Sequence, residues 1–193
     1  PIASIGYQAS IVITPQQEAD MDIKATLNNL LIPYTSNYAG TLLPGIREYT
    51  VTPGEKTTTI SGKGKAGLKQ EENYYFFYLP VCYKGITGKS YAYYNTSRSK
   101  NLYLPASVDE NYSYDIQLPE NLTLCTPIQE KKIDNPIGSF KITLTSEGSS
   151  LHIELALQIK KQLITPAEYP AFRSLITEWT DRTRKPILFK TVQ

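Results

Sequence analysis

The sequence predicts an all-β fold, an antiparallel β-sandwich with one C-terminal amphipathic helix and a short final strand. Three observations carry this. Apolar and polar residues alternate with period two over much of the chain. Thirteen prolines and eleven glycines cut the 193 residues into short runs at the spacing of a sandwich or barrel. Only one segment, near the C-terminus, shows apolar residues at helical spacing over several turns. The length favours a single domain over residues 1–193, with the weakest point for a subdivision at residues 104–110.

Near the start, Tyr7, Ala9, Ile11 and Ile13 alternate, "PQQEA" interrupts, and Met21, Ile23, Ala25 and Leu27 alternate again, which predicts a first hairpin. "SGKGKAG" follows the strand-like "TTTIS" and reads as a flexible basic hairpin loop. In "NYYFFYLP", Tyr74, Phe76 and Tyr78 face one side while Tyr75 and Phe77 face the other, so a strand covered on both faces is expected. "NYSYDIQLP" places Tyr112, Tyr114, Ile116 and Leu118 on one face. Phe140, Ile142 and Leu144 repeat the pattern, and so do Leu151, Ile153, Leu155, Leu157 and Ile159; "SEGSS" between them makes residues 139–161 an antiparallel hairpin. Thr165 with Glu168 three residues on is a capping box, with proline at the next position. Tyr169, Phe172, Leu175, Ile176 and Trp179 then share one helical face. Pro170 lacks a backbone donor, so a short first turn and a helix proper from about Pro170 are expected, followed by a strand in "KPILFK".

Twenty basic against eighteen acidic side chains leave +2, too weak a field to suggest nucleic acid. No run approaches the ~20 apolar residues of a transmembrane helix. Met21 is the sole methionine and the chain opens on Pro1, so the sequence reads as a fragment of a longer product. Cys82 and Cys125 permit one disulfide at most.

Cys82 would need a base to become a nucleophile, and the sole histidine is His152, with Glu154 on the same strand face. Nothing in the sequence brings Cys82 to that surface, so a small apolar strand residue and a solvated histidine are expected instead. Gly88-Lys89-Ser90 resembles the end of a phosphate loop, but Tyr83 stands where its first glycine belongs and the following residues are strand-like. Gly62, Gly64 and Gly67 have dinucleotide-loop spacing without a βαβ context. One histidine and two separated cysteines cannot close a zinc site, and no cofactor or metal is expected. The acidic pairs Glu71-Glu72 and Asp109-Glu110 read as solvated connectors. Fifteen tyrosines are the one compositional excess. Tyr91, Tyr93, Tyr94 and Tyr103 mark a glycan or protein surface if exposed, or line the interior with hydroxyls at its rim if not.

The last third, with Leu118-Pro119, the long hairpin, Lys160-Lys161, then Ile164, Pro166 and Tyr169 entering the helix, resembles the C-terminal β domain of bacterial multidomain proteins with a transglutaminase-like core. The likeness covers roughly residues 110–190. It implies that the catalytic cysteine, histidine and aspartate of such proteins lie in an upstream core, that no catalytic residue carries over, and that the protein is exported to the periplasm or cell envelope. The expected role is a non-catalytic accessory domain whose partner is a neighbouring domain of the same polypeptide. Arg173, Glu178, Asp181 and Arg182 on the outward helix face offer a mixed-charge surface for it. The rival expectation is a glycan-binding module using surface tyrosines.

Overall fold

The structure, a computed structural model, describes residues 17–28, 43, 45–82, 85–86 and 97–192. Its frame is a seven-stranded sheet in the order β2-β3-β1-β7-β11-β10-β9, formed by β1 (Glu18–Asn28), β2 (Ile46–Pro53), β3 (Thr57–Gly67), β7 (Val108–Gln117), β9 (Gln129–Asn135), β10 (Gly138–Glu147) and β11 (Ser150–Ile159). A four-stranded sheet, β4-β5-β13-β8, joins β4 (Lys69–Glu71), β5 (Tyr74–Phe77), β8 (Leu122–Leu124) and β13 (Ile187–Thr191). The pair β6 (Leu102–Tyr103) and β12 (Leu163–Ile164) forms a third, two-stranded sheet. Every strand pairing among the described residues is antiparallel.

The alternation in the sequence becomes the two faces of the large sheet. Met21, Ile23, Ala25 and Leu27 of β1, Tyr112, Tyr114 and Ile116 of β7, and the odd-numbered residues 151–159 of β11 are all buried, while their neighbours in sequence point outward. Helix α1 (Tyr169–Arg184) covers the inward face, and its Tyr169, Phe172, Leu175, Ile176 and Trp179 belong to the same apolar cluster. Trp179 has no exposed surface and its ring lies 6.0 Å from that of Tyr112. The helix begins as its sequence predicts. Thr165 and Glu168 exchange bonds across the preceding turn: Glu168 Oε2 accepts from the Thr165 amide at 3.1 Å, and Thr165 Oγ1 accepts from the Glu168 amide at 3.4 Å. Pro170 then sits in the first helical turn, where its missing donor costs nothing.

The hairpin of residues 139–161 forms as β10 and β11, turning through Gly148 and Ser149. Gly148 has φ +59°, the left-handed value that the first loop residue of a two-residue hairpin requires. No helix among the described residues is long and apolar enough to cross a membrane.

Four expectations are corrected. Both edges of β1 are taken, by β3 over Glu18–Asn28 and by β7 over Asp20–Leu27, so no edge remains for the predicted hairpin arm of residues 7–13, which lies outside the described residues. "SGKGKAG" is no loop, because it is the second half of β3, paired residue by residue with β1. Its glycines answer to a neighbour: β2 has a register shift between Ile46 and Glu48, and a Cβ at Gly62 or Gly64 would overlap the carbonyl oxygens of Glu48 or Gly45. β5 is covered on one face only, since Tyr75 and Phe77 are buried, Phe76 is half-buried, and Tyr74 is 50% exposed. Finally, Glu110 is wholly buried rather than solvated, because β7 begins at Val108 and Glu110 shares the inward parity of Tyr112 and Tyr114.

Candidate docking surface and the buried carboxylate behind it

Cys82 and His152 lie on opposite faces of the large sheet. The Cys82 amide donates to Tyr112 Oη at 2.9 Å on the inward side, and the residue is buried. His152 points outward from β11, where its Nδ1 lies 2.7 Å from Asp115 Oδ1 and its Nε2 lies 3.8 Å from Glu154 Oε1. Glu154 is meanwhile held at 2.8 Å by Lys141, and this ammonium keeps the Glu154 carboxyl below the usual carboxylate range. The three groups that a thiol mechanism would need are thus not brought together. Neither cysteine is in a disulfide. Among the described residues, no group of three or more His, Cys, Asp or Glu side chains could hold a metal ion.

The least expected feature is Glu110. Its Oε1 accepts from the Ile86 amide, and its Oε2 accepts from Tyr112 Oη at 3.0 Å, so the same hydroxyl links Glu110 to the Cys82 amide. Tyr114 Oη donates to the Pro80 carbonyl at 2.7 Å. Three consecutive inward side chains of β7 therefore hold Pro80, Cys82 and Ile86. Gly85 makes this possible, because a Cβ there would overlap the Glu110 carboxylate. Burial raises the Glu110 pKa to about 7, against the lowering effect of its two hydrogen bonds. The Tyr112 and Tyr114 phenols are also pushed up, by burial first and by the Glu110 charge second. The sequence held a signal for this: the period-two register that buries Tyr112, Tyr114 and Ile116 lands on Glu110 when carried two residues back.

Of the tyrosines proposed as a surface, Tyr103 is 69% exposed and stands opposite exposed Leu163 on the β6–β12 pair; Tyr91, Tyr93 and Tyr94 lie outside the described residues, as does Gly88-Lys89-Ser90. Of the four helix residues, Arg173 is exposed and Glu178, Asp181 and Arg182 are half-buried. Glu178 accepts from Lys131 of β9 at 2.5 Å, and Asp181 pairs with Lys185 at 2.7 Å one turn on. The Nε of Arg182 has no hydrogen-bond partner. The side chain of Asn135, at the end of β9, donates to the Ala171 carbonyl at 3.1 Å and fixes this surface against the sheet.

Comparison with known proteins places this architecture. No curated protein matches the chain. A crystal structure from Parabacteroides distasonis ATCC 8503, described as that of a "putative protease", is similar to it, with 31% sequence identity and a TM-score of 0.56. The likeness covers 63% of this chain and 24% of that one, so the chain spans about a quarter of its relative's length. A family model matches residues 73–189, from the start of β5 through the helix to Phe189 in β13, reaching well before the stretch that carries the resemblance in the sequence. The chain belongs to the DUF3858 family, a domain of unknown function with a solved structure.

Proposed function

We propose that the chain is an accessory domain of a larger, exported bacterial polypeptide with a transglutaminase-like core, and that it positions a neighbouring domain rather than performing chemistry itself. The observation that carries this reading is the proportion of the Parabacteroides relative: the similar unit is 24% of a longer chain. Transglutaminase-like cores use cysteine, histidine and an acid, as thiol proteases do, so the word "protease" for that relative agrees with such a core beside this domain. The outward face of α1 supports a docking role, since it is polar and mixed in charge like the interfaces between domains of one chain. The test is to compare the chain alone with the chain joined to the domain that adjoins it. Docking predicts chemical-shift changes on α1 and a common rotational correlation time; independent tumbling with no shifts would sink it.

Tyr103 favours a second reading, a glycan-binding module. Its exposed ring beside Leu163 is a surface on which a sugar face can stack. Binding on a glycan array that is lost in Tyr103→Ala would make this the better account.

A further inference from the structure

We infer that the groove between the N-terminal half of α1 and the edge strand β9 recognises a carboxylate side chain on an extended peptide segment, with Arg98 and Arg173 as its charged walls. The inference rests on the docking role proposed above and names what is docked. The groove is a cavity of about 570 Å³, with apolar surface from Ile133 of β9 and from Pro166 and Pro170 at the helix entry. Arg98 lies over the Tyr169 ring, its guanidinium carbon 5.9 Å from the centroid. Its Nε is buried and makes no hydrogen bond.

Charge decides the ligand. Among the described residues neither Arg98 nor Arg173 is in an ion pair, whereas Glu178, the acid bordering the groove, is already taken by Lys131 at 2.5 Å. Glu168 at the helix entry is likewise bound to Lys161. No acidic residue occupies the first turn of α1 itself, and Glu168 at its N-cap is spent on Lys161 and Thr165. Two uncompensated guanidinium groups beside apolar walls suit a carboxylate carried on an apolar strand, because the planar fork binds a carboxylate through two parallel hydrogen bonds. An Arg98 turned off the Tyr169 ring offers its Nε–H and one Nη–H together, relieving a donor that folding leaves unsatisfied. Ile133 lies on the last strand of the sheet, where an extended segment can run alongside.

The probe is an acetylated, amidated hexapeptide, Val-Asp-Leu-Asp-Val-Thr, titrated into the whole chain while the arginine Nε–Hε signals are followed by NMR. Binding should move the Arg98 and Arg173 signals and weaken as salt is raised. Arg98→Gln and Arg173→Gln should each reduce affinity about tenfold or more, and Arg98→Lys should recover part of the loss. An unchanged Trp179 emission maximum shows that a variant is folded. The same peptide with asparagine for aspartate should not bind. Equal binding of the two peptides, no effect of either glutamine variant, or inorganic phosphate binding as well as the peptide would each overturn the inference. In the joined polypeptide, domains that stay docked in both glutamine variants would reject this groove and leave the docking role standing. Domains that tumble independently while the peptide still binds would reject the docking role alone.

Discussion

Glu110 and Glu154 are carboxylates on adjacent strands of one sheet, yet the fold gives them opposite tendencies. Glu110 faces inward from β7, and burial raises its pKa to about 7 despite two hydrogen bonds. Glu154 faces outward from β11, and the Lys141 ammonium lowers its pKa. The same contrast runs along both strands. Inward, Tyr112 and Tyr114 stack at 6.1 Å and spend their hydroxyls on Glu110 and the Pro80 carbonyl; outward, Asp115 and His152 meet in water. One residue of parity therefore decides whether a polar group builds the fold or decorates it. Inward polar groups must be fully hydrogen-bonded or protonated, while outward ones are tuned weakly by neighbouring charge.

The sharpest way to test the inward face is to empty it. Trp179→Ala removes the largest fully buried side chain and should destabilise by about 3–5 kcal/mol, read as a lower urea midpoint with unchanged m. A loss under about 1 kcal/mol would mean that the helix does not close this core. The wild-type tryptophan should also emit at short wavelength, as a ring shielded from water does.

Next in size is the titration of Glu110. Its pKa is raised in the folded state, so the folded protein holds a proton that the unfolded chain releases above about pH 4.5. The stabilising contribution is complete below that pH and is lost as pH rises towards 7, by about 3 kcal/mol for a shift of this size. Glu110→Gln keeps an acceptor for the Ile86 amide and cannot ionise, so it should flatten the stability profile between pH 4.5 and 7. A wild-type profile that rises over that window would show Glu110 to be charged in the folded protein. Cys82→Ala should cost less, about 1–3 kcal/mol from lost packing. Rapid alkylation of Cys82 by iodoacetamide at pH 6 would contradict its burial.

The two faces also differ in how far the sequence reveals them. β7, β10, β11 and the helix are visible because their signals are local: alternation over 8–10 residues, a glycine turn, a capping box. Glu110 was within reach of the same reasoning, but a charged pair beside a proline-containing stretch looks like a connector until the register of Tyr112 is carried back through it. The small sheet was out of reach. Its central pairing sets β5 against β13, with Phe77 stacked on Phe189 at 5.8 Å across more than half the chain, and no local pattern encodes that. Gly62 and Gly64 were misread for the same reason, since the carbonyls that exclude a side chain there belong to residues 45 and 48. The groove of Arg98 and Arg173 likewise joins residues from before β6 and from α1, so only the folded chain shows it.

The smallest expected effect lies on the outward face, at the pair of Lys141 and Glu154. Their side chains are 43% and 46% exposed, and the 2.8 Å contact competes with water on both sides. In such surroundings the Coulomb gain is largely offset by the entropy of holding two long side chains and by salt. A double-mutant cycle of Lys141→Met and Glu154→Gln should therefore give a coupling within the error of the unfolding measurement, and smaller still in high salt. The sign is nevertheless fixed. Glu154 has a lowered pKa, so whatever it contributes is present above its ordinary pKa of 4.5 and fades as pH falls, opposite to Glu110. Relative to wild type, Glu110→Gln should lose stability as pH falls from 7 to 4.5 and change no further below it, whereas Glu154→Gln should gain on wild type only as pH falls below 4.5. A large coupling at Lys141–Glu154 that persists in high salt would mean that the outward face is shielded from water, which would place a further binding surface on the polar side of the sheet.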